Sequence, residues 1–325
     1  MHPAFSVIFL TTLIGVGQGL FLALFTGQSY AAAKFLPAQN GTDFFALGSL
    51  IALLFLMAGL VSSIFHLGHP ERAWRAATKW RTSWLSREVI ALPMVMFFVF
   101  VYGVMHYMSW DVVIFVTSTG VEFNLSLLVG ALGSAAVFIL FLCTAMIYAA
   151  IKFLQEWSSP LTIVNYILLG AASGFTLATA FSIYTAPDLV DFFGAWAIII
   201  TVMAFISRVA SLIRNARIKY KSSIQTAIGV RHNNIAQKAQ GAMGGSYNTR
   251  EYFHGKTAVF LKSIKWVFML LVFPLPIILL FAGMEHSNGK VLLFAFMIQY
   301  LGLLAERWFF FAQANHPQNI YYQTV

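Results

Sequence analysis

Long apolar runs separated by short polar segments make up most of this sequence. A helix needs about 20 apolar residues to cross the ~30 Å hydrocarbon core of a bilayer, and the chain contains eight runs of this length. The runs are Pro3–Gln28, Asp43–Phe65, Ser86–Met108, Leu125–Ile151, Pro160–Tyr184, Leu189–Ile213, Lys262–Gly283 and Lys290–Gln313. With 59% hydrophobic residues, the composition excludes a soluble fold. The sequence therefore predicts an all-α integral membrane protein, a single domain over residues 1–325 that forms a bundle of eight transmembrane helices.

Two local features refine this prediction. No basic segment precedes the first apolar run, which is long enough to span a bilayer, so we expect a retained helix instead of a cleaved signal peptide. Pro274 and Pro276 lie inside the seventh run. Because proline removes a backbone hydrogen bond, we expect a kink there, with the freed carbonyls facing neighbouring helices or a polar cavity.

Cysteine and histidine usage limits the redox chemistry of the chain. Cys143 is the only cysteine and lies in an apolar run, which excludes internal disulfides, thiolate-held iron–sulfur clusters and cysteine zinc sites. Any redox metal would then belong to a partner or be held by histidine. The histidines lie near the ends of the predicted spans, whereas two haem ligands must face each other at similar depth. This pattern favours a haem-free protein without a metal site over a cytochrome b.

Lys and Arg are distributed unevenly between the two ends of the predicted bundle. Both termini, the polar stretch 66–87 and the long loop 214–256 lie at the same end, together with nearly all of the 20 Lys and Arg residues. The other end carries only Lys34 and Lys290. Basic loops face the cytoplasm, so we predict a multi-pass membrane protein with both termini in the cytoplasm. The net charge of +9 indicates this loop bias and not nucleic-acid binding.

The stretch 66–87 is strongly polar although it lies between two apolar runs, so it belongs at the membrane surface or in a cavity that opens there. The ends of the second, third and eighth spans bring further ionisable groups to the same end of the bundle. These groups are His66, His69, Arg87, Glu88, Glu306 and Arg307. Ionisable groups at membrane depth are costly and usually functional or paired, so we expect them to converge on one site.

Quinone chemistry needs side chains of this kind. Each ring oxygen takes a hydrogen bond, and one group must change protonation near neutral pH. Histidine suits that second task, and a carboxylate can pass the proton to water. We therefore predict a quinone site with His66 as its catalytic residue and with Arg87, Glu88, Glu306 and Arg307 beside it. Nearby aromatic residues are candidates for walls around a flat ring: Phe65, Trp74, Trp80 and Trp84.

Structural alternatives remain open for several of these residues. Trp80 and Trp84 also fit an aromatic belt at the membrane interface. The charged groups also fit structural ion pairs; sequence neighbours on a helix point apart, which favours a pair such as Arg87 with Glu306. His69 precedes a proline and fits a turn. The loop 214–256 fits contact with anionic lipid as well as a docking surface for a soluble partner.

Two segments of the chain, SSIFHLGHPERAWRAATKWRTSWLSREV and AERWFFFAQANHPQNIYY, resemble the membrane anchors of the dimethyl sulfoxide reductase type. These DmsC-like proteins are part of the NrfD/PsrC-like group of haem-free, quinone-reactive proteins. The resemblance implies that His66 binds quinone and that Ser86 and Glu88 belong to the site. Arg87 stands where the family motif has Asn, so no role transfers to it, and Glu306 and Arg307 match only loosely.

The resemblance also implies a location in the bacterial inner (cytoplasmic) membrane, together with partners and cofactors. They are a ferredoxin-like subunit with four [4Fe–4S] clusters, a molybdopterin catalytic subunit, and ubiquinone or menaquinone. Within the group, the motif sequences are most similar to those of the anchors of sulfite dehydrogenases that face the cytoplasm. This similarity implies electron flow from sulfite to quinone. The first alternative is a dimethyl sulfoxide reductase anchor that oxidises quinol. The second is a secondary transporter, which the broken helix favours, although the polar groups cluster at one face and not at the midplane.

Overall fold

The computed structural model describes residues 1–110, 112–118, 122–220, 223–235 and 252–317 of the chain. In this part of the chain, eight helical spans are long and apolar enough to cross a membrane, as predicted. The α-helices are α1 Phe5–Ala32, α2 Leu47–Ile64, α3 Trp84–Tyr107, α4 Leu125–Ala149, α5 Pro160–Thr185, α6 Val190–Ala216, α7 Ile224–Ile228, α8 Ala258–Val272, α9 Pro274–Glu285 and α10 Gly289–Ala312. A π-helical turn, Gly41–Ala46, precedes α2, and α8 with α9 forms the seventh span.

Helices α1 and α5 form the centre of the bundle. In their most apolar segments 78% and 72% of the residues are buried, against 33% to 44% in the other spans. Each helix carries a pair of glycines one turn apart, Gly15 and Gly19 in α1 and Gly170 and Gly174 in α5. Small residues at this spacing let two membrane helices approach closely. A Cβ atom added at Gly174 would collide with the backbone of Gly19, so the two helices touch through their main chains.

Replacing Gly174 by Ala is expected to destabilise the bundle by about 1–3 kcal/mol, because a backbone cannot move aside as a side chain can. Gly15→Ala is the matched control, since its Cβ would lie 3.5 Å from Gly170 Cα, an ordinary contact. The free energy of unfolding of both variants, measured in detergent, tests this expectation. Equal stabilities for the two variants would contradict the close crossing.

The seventh span is broken as predicted. Helix α8 ends at Val272 and α9 begins at Pro274, with Phe273 between them at φ −112° and ψ −80°. Pro276 has no N–H to donate to the carbonyl of Val272. Gln299 of α10 donates its side-chain amide to that carbonyl oxygen at 3.3 Å. A neighbouring helix therefore receives the freed carbonyl, as expected for a kinked helix in a bilayer.

Both ends of the described chain meet at one end of the bundle, which we call the terminal face. The amino group of Met1 donates a hydrogen bond to the carbonyl oxygen of Ala314 at 2.8 Å. Burial lowers the pKa of this α-amino group to about 6, although the nearby Glu156 opposes the shift. Glu156 is buried and accepts hydrogen bonds from the Tyr220 hydroxyl and the Asn315 N–H. The cytoplasmic location of this face stays a prediction.

The polar stretch 66–87 lies at the terminal face and contains an exposed 3₁₀ helix, Pro70–Lys79. The loop expected at 214–256 begins later, because α6 continues to Ala216, and it contains the short helix α7. Residues 221–222 and 236–251 of that loop lie outside the described residues. Lipid contact and partner docking both remain predictions for this loop.

The other end of the bundle, the opposite face, carries the one departure from the all-α prediction among the described residues. Strands β1 Val113–Val116 and β2 Glu122–Asn124 form an antiparallel hairpin between α3 and α4. The rings of Phe115 and Phe123 stack at a centroid distance of 4.9 Å. Consecutive β-branched and aromatic residues favour strands, and the segment is too short to span a bilayer.

Candidate functional site

His66 lies at the terminal face just after α2. Its backbone N–H donates to the carbonyl of Ser63 at 3.3 Å, which extends the last turn of the helix, and its side chain is only partly exposed. Partial burial lowers the pKa of His66 below its usual value, so the imidazole is neutral at pH 7. The neighbouring Phe65 is 80% exposed. The end of α2 thus presents an imidazole and an aromatic ring outward.

His69 is separate from this position. Its Nδ1 lies 3.1 Å from the Glu71 carboxylate, and both side chains are exposed. The backbone of His69 is not helical, with φ −138° and ψ 78°, as expected for a residue before proline. The geometry is that of a turn residue paired locally.

The first turn of α3 holds Trp84, Ser86 and Arg87. Ser83 caps the helix by accepting a hydrogen bond from the Ser86 N–H at 3.4 Å, and the Ser86 side chain is buried. Arg87 donates to the carbonyl oxygens of Trp80 and Arg81, each at 2.9 Å. Its guanidinium lies 4.1 Å above the Trp84 ring. The expected pair of Arg87 with Glu306 is therefore wrong, because Arg87 ties the polar stretch to the start of α3.

Glu88 faces the interior and is only 8% exposed. The hydroxyl of Thr144 in α4 donates to Glu88 Oε1 at 2.5 Å. Glu88 and Arg87 point to different sides of α3 because consecutive helical residues are about 100° apart. Glu88 is therefore buried, whereas Arg87 lies at the surface.

Glu306 lies between two arginines in the core. Its Oε1 is 2.8 Å from Nε of Arg208 in α6, and its Oε2 is 3.2 Å from an Nη atom of Arg307. Glu306 and Arg208 are 0% and 1% exposed. The expectation that Glu306 and Arg307 point apart is wrong, because the two side chains form this ion pair. The Arg307 guanidinium also lies 3.6 Å above the Tyr166 ring.

A narrow internal cavity lies between the Glu88 pair and this arginine cluster. Thr144 lines it from α4, Tyr166 from α5 and Arg307 from α10. The cavity has room for roughly one water molecule. Through Thr144 and Arg307, which line the cavity, Glu88 and Glu306 belong to one buried polar system. His66 at the end of α2 and Trp84 with Arg87 at the start of α3 lie outside it.

Comparison with known proteins places the chain in a family. The family model described as DMSO reductase anchor subunit (DmsC) matches residues 1–312. This chain belongs to the DmsC family. It is 58% identical over 325 residues to the C subunit of sulfite dehydrogenase from Allochromatium vinosum, with 100% of both chains covered. The resemblance stated on the sequence motifs is confirmed: the chain is a membrane anchor subunit of a DmsC-type oxidoreductase and a homologue of that sulfite dehydrogenase subunit.

Sequence reasoning missed three residues in this DmsC-family chain: Arg208, Thr144 and Tyr166. Counting basic residues assigned Arg208 to the terminal face, but it lies within α6 and is buried. A charge inside an apolar run was the available signal for it. Thr144 and Tyr166 gave no such signal, because hydroxyl side chains are common in membrane helices.

The buried charges also bear on the chemistry that is possible here. Arg208 and Arg307 carry two positive charges around the single carboxylate of Glu306, and Glu88 supplies a second carboxylate across the cavity. Buried charges are tolerated when they are paired and hydrogen-bonded. In the part of the chain that the structure describes, no group of three or more His, Cys, Asp or Glu side chains converges as a metal site would require.

Proposed function

We propose that this DmsC-family chain is the quinone-reactive, haem-free anchor of a sulfite-oxidising complex on the cytoplasmic side of the bacterial inner membrane. Electrons would pass from a molybdopterin catalytic subunit through the [4Fe–4S] clusters of a ferredoxin-like subunit to ubiquinone or menaquinone. The observation that carries the proposal is the full-length identity of 58% with the C subunit of a sulfite dehydrogenase. The same observation favours sulfite oxidation over the dimethyl sulfoxide reductase and transporter alternatives.

We assign the quinone headgroup to the surface of the terminal face and not to the interior of the bundle. The internal cavity holds roughly one water, so a ring cannot enter it. His66 and Trp84 lie outside that cavity, at the ends of the adjacent helices α2 and α3. The exposed Phe65 and the Trp84 ring offer apolar surface, and the neutral imidazole of His66 offers a hydrogen bond to a ring oxygen. A quinone bound there takes up two electrons and two protons on reduction.

The buried polar system supports proton supply from the chain itself. Glu88 is the member of this system near the start of α3, and its carboxylate accepts a hydrogen bond from the Thr144 hydroxyl. The water-sized cavity separates Thr144 from Arg307, whose guanidinium also contacts Glu306. In this proposal His66 holds or releases a proton at the ring oxygen, and Glu88 exchanges protons with the interior. Arg307 and Arg208 lie beside Glu306 and balance the charge of its carboxylate.

The basic surface of the terminal face supports docking of the iron–sulfur subunit and contact with lipid. Arg72, Arg75, Lys79 and Arg81 are exposed along the 3₁₀ helix and the turn after it. They follow His66 in the segment that connects α2 with α3. Exposed positive charge attracts an acidic protein surface and the anionic lipid headgroups of the cytoplasmic leaflet.

Quinone analogues are expected to inhibit sulfite oxidation coupled to quinone by at least tenfold, with no effect on turnover coupled to an artificial dye. The reason is that the dye takes electrons from the soluble subunits, whereas quinone must bind to this chain. Both rates are measured on the same membrane preparation of the complete complex. Equal inhibition of the two activities would contradict a quinone site in the anchor.

A further inference from the structure

A second cavity lies at the opposite face, far from the proposed quinone site. It is formed by the C-terminal ends of α1 and α3, the π-helical turn before α2, strand β2 and the start of α4. Its volume is about 340 Å³, within the range of roughly 300–1,000 Å³ of small-molecule sites. Its lining includes Gln28, Ala31, Phe45, His106, Glu122 and Ser126. Neither the fold nor the proposed function requires this cavity.

The polar side of this cavity is a connected hydrogen-bond network. The hydroxyl of Tyr102, which is fully buried, donates to Gln28 Oε1 at 2.9 Å. The other end of the amide, Gln28 Nε2, donates to the Ser126 hydroxyl at 2.8 Å. The same Nε2 lies 3.4 Å from Nε2 of His106. A buried tyrosine thus orients polar groups that line the cavity, which is typical of a preorganised binding site.

The network also orients the His106 ring. An amide N–H donates and does not accept, so the contact with Gln28 is a hydrogen bond in the tautomer of His106 that carries its ring proton on Nδ1. The Nδ1 side faces Gly41, where an added Cβ would lie 3.6 Å from it. The imidazole stacks on the Phe45 ring with a centroid distance of 4.6 Å and an interplanar angle of 28°. The cavity therefore has a flat aromatic wall with a polar edge.

These features select a class of ligand. Glu122 is the charged side chain among the described lining residues, so the cavity disfavours anions such as phosphate or sulfite. The remaining wall combines neutral amide, hydroxyl and imidazole groups with the apolar side chains of Phe45, Met105 and Leu127. A neutral planar ring that carries oxygen acceptors matches both the polar and the apolar lining groups. We propose that the opposite-face cavity is a second site for a quinone-type headgroup, in addition to the site proposed at the terminal face.

Photolabelling tests this inference. Membrane vesicles that contain the complete complex are irradiated with an azido-substituted short-chain ubiquinone, and labelled peptides are identified by mass spectrometry. We expect label on peptides that contain Gln28 or His106 as well as near His66, and at least a tenfold decrease of the former with excess unlabelled quinone. Ala31→Phe fills the cavity and is expected to remove the opposite-face label at least tenfold. Ala33→Phe is the matched control, because Ala33 is exposed and does not line the cavity.

The outcomes separate this site from the proposed function. Label near His66 alone would overturn the second site and leave the proposed function intact. Opposite-face label alone would support the second site and contradict the quinone site at the terminal face. Opposite-face label that neither unlabelled quinone nor Ala31→Phe reduces would be nonspecific and would also overturn the inference. The competition experiment uses the unaltered chain, so it decides the question even if Ala31→Phe fails to fold.

Discussion

Glu306→Ala is expected to destabilise the protein by about 3–5 kcal/mol, because it leaves the buried guanidinium of Arg208 without its countercharge. Arg208 is 1% exposed and its Nε lies 2.8 Å from the removed carboxylate. Arg307 would lose its partner as well, but it keeps its contact with the Tyr166 ring. The change in free energy of unfolding is measured by denaturation in detergent, with the unaltered chain as reference.

A second substitution distinguishes a buried charge pair from simple loss of packing. Arg208→Met removes the charge that Glu306→Ala leaves uncompensated, so the double variant is expected to be more stable than Glu306→Ala alone. The coupling energy of such neighbours is about 0.5–3 kcal/mol. Additive effects of the two substitutions would contradict a direct interaction. Glu71→Ala serves as the control for an exposed pair, whose loss is expected to cost at most about 1 kcal/mol.

The eight spans and the break in the seventh were predictable because they depend on local chemistry. Run length and hydropathy determine which segments can cross a bilayer. The missing N–H of Pro276 determines where the helix loses a hydrogen bond. The sequence could not show that Gln299 donates to the freed carbonyl oxygen. The glycine pairs of α1 and α5 were also visible in the sequence as a spacing, although only the structure shows that the two pairs face each other.

The candidate site was predictable only in part, because helix rotation and long-range packing decide which groups meet. The ends of the second, third and eighth spans indicated a polar region at the terminal face. The sequence could not show that Glu88 faces Thr144 whereas Arg87 turns to the surface. Nor could it show that α6 delivers Arg208 to Glu306, since the two residues are far apart in the chain. Periodicity was uninformative here because these helices are apolar on all sides.

His66→Ala is expected to lower quinone-coupled sulfite oxidation by roughly 10²-fold or more, the contribution typical of a positioned proton-transfer group. The imidazole is neutral at pH 7 because partial burial lowers the pKa of His66, so it can donate one hydrogen bond and accept a proton at its other nitrogen. Alanine removes both functions. Dye-coupled turnover by the soluble subunits is expected to stay unchanged, since those electrons do not pass through the anchor. Both rates are measured on membranes with equal amounts of complex.

His69→Ala is the matched control for this substitution. It removes an exposed histidine from the same polar stretch, but one that pairs with Glu71 and not with the proposed headgroup position. Quinone-coupled turnover is therefore expected to stay within about twofold of the unaltered complex, because an exposed pair of this kind contributes at most about 1 kcal/mol. Equal losses in the two variants would indicate that the stretch acts as a docking surface as a whole. Normal quinone-coupled turnover of His66→Ala would exclude His66 from the redox site.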